Sequence, residues 1–307
     1  MLFRSGPKIE ALPDGHRSKA ECLLWLGRTL GLTGNYVEQK RLLDHALKLE
    51  REWGSDSWVA HVLKSLSTAN RYLGLHKDGI RQAKEALEIY EQIGTTRYQA
   101  DTLVGLALLL EEDNQLDAAE EAASRVIELL PEKGEEFRVC QAHRALGKVY
   151  GSKCKNEEAI RSYETALGIA SRFDWNSELS WIHDDLATLS CKEGRFDDAH
   201  VHNEQARSHS KNDPYQLGQA TYHQARIYYD QQKLENATSR ALCALEIFQK
   251  LGALEDQNWC KDLLQEIGQA TSIVPDSSGE PPYAIRYPTP FNPSFLANDT
   301  PSSTDTD

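Results

Sequence analysis

The residue types that do chemistry are present in this chain but not at chemical spacing. His200 and His202 stand two apart, which on a helix sends their rings to different sides. With His209 nearby they suggest a metal, but a solvated helical face is the plainer expectation. His183-Asp184-Asp185 also lacks a converging spacing, and solvating or capping roles suffice for it. Six cysteines (Cys22, Cys140, Cys154, Cys191, Cys243, Cys260) are scattered without a CxxC pair, so they read as reduced, helix-packed thiols. No phosphate loop, GxGxxG, HExxH or GxSxG occurs. The expectation is a non-enzyme with no cofactor and no metal site. Asn236-Ala-Thr and Asn298-Asp-Thr match the glycosylation sequon, incidentally if the chain is not secreted.

Bulk properties narrow the class further. The chain has 307 residues, 40% of them hydrophobic, and a net charge of -13. That balance argues against nucleic acid, which needs a basic footprint. No apolar run is long enough to span a bilayer, so no membrane partner is expected. The opening MLFRSGPKIEALPDG has no apolar core segment, so a secretory signal is not expected and a cytoplasmic location is.

The elements that must carry these residues are amphipathic helices. In Cys140–Ser171, Leu146 and Tyr150 fall four apart, and Ala159, Tyr163 and Ala166 follow at spacings of four and three. Gly147, Ala159 and Ala166 are small where bulk is usual, which lets two helix axes approach closely. One such pair cannot bury its own apolar face, so a repeat is required. Stepping by 40 gives Ala46, Ala86, Val126, Ala166 and Ala206, and also Leu26, Leu66, Leu106, Leu146 and Leu186. The small column runs Gly27, Ser67, Ala107, Gly147, Ala187, and the first column Ala20, Ala60, Ala100, Cys140, Ser180. A sixth unit fits at a step of 38 through Ala225, Tyr228, Ala237, Ala241 and Ala244.

Leu146-Gly147, Tyr150, Ala159, Tyr163 and Ala166 resemble the tetratricopeptide repeat pattern one by one, with His143 where the family usually has Trp. The resemblance covers about residues 17–252. It implies an all-α, right-handed α-solenoid of about six helix–turn–helix repeats. The 40-residue step is similar to that of kinesin light chains, G-protein-modulator scaffolds and the sensor arrays of signalling NTPases.

Three regions are expected. Residues 1–16 are an irregular lead-in, either the remnant of a preceding helix or a natural, poorly capped end. If they are a remnant, a flank with Leu23, Leu26 and Leu30 is uncovered. Residues 17–270 are the array, with turns at Gly34-Asn35, Gly74, Asp113-Asn114, Lys153–Asn156 and Gly194, and with Asp213-Pro214 opening unit six. Its last helix, 254–270, is a cap with Trp259, Leu263 and Ile267 inward and Asp256, Lys261, Asp262, Gln265 and Glu266 solvated. Residues 271–307 hold seven of the eleven prolines and should form a disordered acidic tail, with Tyr283, Tyr287, Phe291 and Phe295 as a candidate recognition segment.

The resemblance also implies where a ligand binds, because first helices line the concave face of such arrays. Counting from the first column, positions 2, 5, 9 and 12 place Arg28, His61, Lys64, Arg71, Arg144, Lys148, Trp181, Tyr222, Arg226 and Tyr229 there. Basic residues with aromatics toward the C-terminal end suit a protein or peptide partner, acidic with an apolar anchor. The expected function is a non-catalytic interaction scaffold or adaptor. The alternative is the sensor portion of a larger signalling NTPase. Partner identity and oligomeric state are not legible.

Overall fold

The structure is a computed structural model that describes residues 17–53, 56–130 and 134–272. The lead-in 1–16 and residues 273–307 of the tail lie outside the described residues, as does Pro131. Among the described residues there are thirteen helices and no strand. Unit one is α1 (Arg17–Gly31) and α2 (Tyr36–Trp53). Unit two is α3 (Asp56–Tyr72) and α4 (His76–Ile93). Unit three is α5 (Thr96–Glu112) and α6 (Leu116–Leu129). Unit four is α7 (Glu136–Ser152) and α8 (Asn156–Arg172). Unit five is α9 (Asn176–Lys192) and α10 (Phe196–His209). Unit six is α11 (Pro214–Asp230) and α12 (Leu234–Leu251), and α13 (Leu254–Ser272) closes the array.

One turn is repeated six times. Gly34, Gly74, Asn114, Cys154, Gly194 and Gln232 all adopt the left-handed conformation, and the next residue's amide reaches back to a carbonyl five residues earlier, as in Leu75 N–H to Asn70 O at 2.8 Å. Between units six and five the device differs. The Asp213 carboxylate accepts from the Tyr215 and Gln216 amides, and Pro214 sits in the first turn of α11.

The stepped columns are the seams. Ala20, Ala60, Ala100, Cys140 and Ser180 are buried, and so are Ala46, Ala86, Val126, Ala166 and Ala206. Smallness is needed there: a Cβ on Gly147 would lie 2.6 Å from the Tyr163 ring, and one on Gly79 would lie 2.8 Å from Leu109. Each first helix packs on its own second helix and on the first helix of the next unit, so α3, α5, α7, α9 and α11 form an inner layer. They are buried on almost every side, whereas the outer helices bury one face.

Two expectations are corrected here. Leu23 and Leu30 are buried and Leu26 is half-buried, so the flank of α1 is not open. They join Leu42, Leu43, Ala46, Leu49, Val62 and Leu66 in one apolar cluster. In α13, Leu263 and Ile267 are buried and Lys261, Asp262 and Gln265 are exposed as expected, but Asp256 is fully buried. Its burial comes from unit one, whose turn meets α11 and α13 at the far end of the chain.

Candidate functional site

The inner layer is held together by polar contacts spaced at one repeat. In units two, three, four and six, position 2 of the first helix meets the residue two before the first column of the next element. His61 meets Tyr98 edge-on at 4.7 Å, Asp101 pairs with Arg138 at 2.6 Å, and Gln141 donates to Glu178 at 3.1 Å. Gln219 donates to Asp256 in the same register. A second ladder runs deeper along the helices. Arg144 pairs with Asp185 at 2.6 Å, Asp184 with His223, Arg71 with Glu112 at 3.3 Å, Ser152 with Glu111 at 2.5 Å, and Arg226 with Glu266 at 2.9 Å. From unit two onward these contacts join one unit to the next, the nearest-neighbour coupling that stabilises a solenoid.

This accounts for most of the residues placed at the concave face by their position in the repeat. Arg28 is buried with its guanidinium 4.6 Å from the Trp25 ring. His61 is buried with Nδ1 2.9 Å from the Tyr90 hydroxyl. Lys64 is buried 3.7 Å from Asp101 and lies over the Tyr98 ring. Arg71 donates to the Tyr72 hydroxyl at 2.7 Å besides its pair with Glu112. Arg144 also lies over Trp181, at 5.6 Å from the ring. Burial alone would lower the Arg144 pKa, but Asp185 and Glu178 outweigh it and raise it. Tyr222 is buried near Trp259, Arg226 lies over Tyr229, and Tyr229 itself is half-buried. Lys148 is half-buried and close enough to Lys192 for the two charges to repel. Five cations of the inner layer, Lys64, Arg71, Arg138, Arg144 and Arg226, are therefore each paired with a carboxylate of the chain itself.

One step of the ladder lacks a bond. By the same count the corresponding positions are Trp181 of α9 and Gln216 of α11, both about 1% exposed. The Trp181 indole N–H and both polar atoms of the Gln216 carboxamide are buried without a hydrogen-bond partner. Asp184 Oδ1, Gln219 Oε1 and Gln224 Oε1 nearby in sequence share that condition. Buried polar atoms are normally satisfied, and leaving one unpaired costs about 1–3 kcal/mol. Counting along the repeat places Trp181 but not Gln216 or Glu178, and it is a correction that Asp184 and Asp185, expected in solvating or capping roles, are buried against His223 and Arg144.

The residues with chemical potential are otherwise dispersed. His202 pairs with His183 at 3.2 Å, while His200 turns away to Gln231 at 3.1 Å, as their two-residue spacing requires. Burial, with help from His202 and His209, pushes His183 down to about 4. Burial pushes the Cys140 thiol well up and Cys260 up to about 12, so neither is a ready nucleophile. Among the described residues no group of three His, Cys, Asp or Glu has metal-binding geometry, and no helix is long and apolar enough to cross a membrane.

Comparison with known proteins bears on the fold. A sequence model of the soluble NSF attachment protein (SNAP) family matches residues 80–216, from α4 into α11. No curated protein matches. Among solved structures, a Rap protein complexed with competence and sporulation factor superposes with a TM-score of 0.64 at 16% identity, covering 88% of this chain and 80% of that one. The apo form of the quorum sensor NprR from B. thuringiensis gives 0.58 at 14% identity, covering 87% and 80%. A signal-transduction ATPase with a tetratricopeptide repeat sensor, from Pyrococcus horikoshii, gives 0.53 at 15% identity, covering 83% of this chain and 42% of that one. With its stepped columns, its six like turns and these neighbours, the chain folds as an all-α solenoid of tetratricopeptide-like helical repeats.

Proposed function

We propose that the chain is a non-catalytic scaffold that binds a peptide or partner protein on its inner layer, centred on Trp181 and Gln216. The observation that carries this reading is the unbonded step of the ladder. Trp181 offers one buried donor, and Gln216 offers donors and an acceptor. A peptide main chain presents the complementary carbonyl and amide, and the flanking Tyr222 and Tyr229 supply aromatic surface. The Rap structure carries a bound factor and NprR is a quorum sensor, which supports ligand binding for a chain of this fold. The paired cations favour a ligand read through its main chain and an apolar anchor over a strongly acidic one.

The test is selection from a displayed peptide library on the immobilised chain, followed by Kd measurement on Gln216→Leu and Trp181→Phe. The reading expects selected peptides to lose about tenfold or more in affinity to each variant while helicity is kept, equivalent to about 1.4 kcal/mol. Peptides that bind both variants as well as the parent would move the site elsewhere.

A second reading, the sensor portion of a signalling NTPase, is supported by the Pyrococcus match, which occupies 42% of that larger chain. It expects the native polypeptide to migrate far above 34.6 kDa on a denaturing immunoblot. A single native band at that mass would remove it.

A further inference from the structure

The turn of unit one is unlike its five equivalents. The left-handed residues Gly74, Asn114, Cys154, Gly194 and Gln232 are exposed, but Gly34 is buried. The first residues of the outer helices, His76, Leu116, Asn156, Phe196 and Leu234, are half-buried, but Tyr36 is fully buried. The repeat itself does not cover these positions, so what covers them in unit one must come from elsewhere in the chain.

The cover is the last unit and the closing helix. A Cβ on Gly34 would lie 2.7 Å from Ala253 Cβ and 2.9 Å from both Tyr215 and Asp256, whereas one on Gly74 or Gly194 would meet nothing within 4 Å. Tyr36 stacks on Tyr72 with ring centroids 4.4 Å apart, and its hydroxyl lies 2.7 Å from that of Tyr215. Tyr215 donates to Asp256 at 3.2 Å, which leaves Tyr36 as the donor to Tyr215. Gln219 donates to Asp256 as well, and Glu255 accepts from the Tyr36 backbone amide at the start of α2. Residues 179 apart in sequence thus share one buried hydrogen-bonded chain.

We propose that this junction is a clasp: contacts of unit one with α11 and α13 hold the superhelix shut on itself, and their release opens its inner layer. The clasp is built to be releasable. It is polar, and its central carboxyl is buried among groups that are neutral or acidic. From α13 these are Glu255 and Cys260, from α11 Tyr215, from α2 Tyr36 and from α3 Tyr72. Of the cations, Arg71 and Arg144 act on Tyr72, and Lys261 of α13 acts on Cys260. Burial first, and Glu255 beside it, push the Asp256 carboxyl up to about 8. Released into water it returns to about 4. Between those values the closed form keeps a proton that the open form has lost. Raising the pH therefore favours opening, by up to about tenfold per pH unit, and the effect levels off above about 8.

The test uses ligand-free full-length protein. Gly34→Asn keeps the turn, since Asn114 holds the same conformation in unit three, but sets a side chain into Ala253. Gly74→Asn is the matched control in open space. Small-angle scattering should show a larger radius of gyration for Gly34→Asn alone, and the Tyr36 amide should exchange its hydrogen about tenfold or more faster. Wild type should expand between about pH 6 and about pH 9, and Asp256→Asn should lose that dependence. Scattering and exchange for Gly34→Asn that match the Gly74→Asn control would overturn the clasp. Should Gly34→Asn lose helical content, the pH arm decides alone: a wild-type profile that is flat, or one unchanged by Asp256→Asn, rejects it. What opening admits rests on the inner-layer site proposed above. Closure itself does not, because both measurements are made without ligand.

Discussion

The step between units four and five and the step between units five and six occupy equivalent places and behave differently. At the first, Gln141 donates to Glu178 and Arg144 grips Asp185. At the second, Asp184 still meets His223, but the Trp181 indole and the Gln216 carboxamide, at the corresponding positions, are buried without a hydrogen-bond partner. The repeat shortens there, from 40 residues to the 38 between Ser180 and Gly218, and α10 has 14 residues where α8 has 17. A polar ladder keyed to one period tolerates a two-residue loss at some positions and not at others. The side chains that couple one repeat to the next are the same ones that a change of period leaves unpaired.

The largest effect should come from breaking the bonded step. Arg144→Ala leaves Asp185 buried with its charge unmatched, and about 3–5 kcal/mol of unfolding free energy should be lost in urea titration. Pairing Arg144→Met with Asp185→Leu should restore most of it, since removing both charges removes the penalty. A double variant as unstable as Arg144→Ala would mean that the ladder contributes through shape rather than charge.

Next comes a matched pair of leucine substitutions. Gln141→Leu removes a donor from Glu178 and should cost about 1–3 kcal/mol. Gln216→Leu removes atoms that have no partner and should be neutral or slightly stabilising. Equal losses at both positions would erase the distinction between the steps.

The opposite side of α9 offers a pH test within unit five. His183 lies against His202 of α10, and its pKa in the fold, about 4, is below the ordinary imidazole value of about 6.5. The unfolded chain therefore binds a proton that the folded chain refuses, and stability falls as pH drops from about 6.5 toward 4. Allowing for partial exposure, the loss is on the order of 1 kcal/mol. Thermal melts of His183→Gln should show a shallower acid limb than wild type.

The fold was legible because small residues repeat at fixed steps, and seams between helices demand smallness wherever they recur. Gly147 against Tyr163 is the clearest case. Trp181 could be placed on the inner layer by counting along the repeat. Its unpaired indole could not, because that depends on whether the neighbouring unit arrives in register. The burial of Tyr36 and Asp256 was still further from view. It depends on the curvature summed over six units, to which each seam adds a small rotation that no local spacing encodes. Asp256 therefore read as a solvated residue of a capping helix, and the structure buries it against Tyr215, Gln219 and the turn of unit one.

The smallest prediction separates openness from mere imperfection. Trp181→Phe deletes an unpaired donor while keeping an aromatic ring under Arg144. If the open step is only a flaw in packing, the variant should gain the cost of the stranded N–H and lose a little contact, a net change within about 1 kcal/mol of zero. If the step is kept open for a ligand, stability behaves the same way, but the affinity of selected peptides falls. Stability and binding measured on the same variant therefore decide between the two. A fall in both by equal free energies would show instead that Trp181 serves the fold and that its indole N–H is incidental.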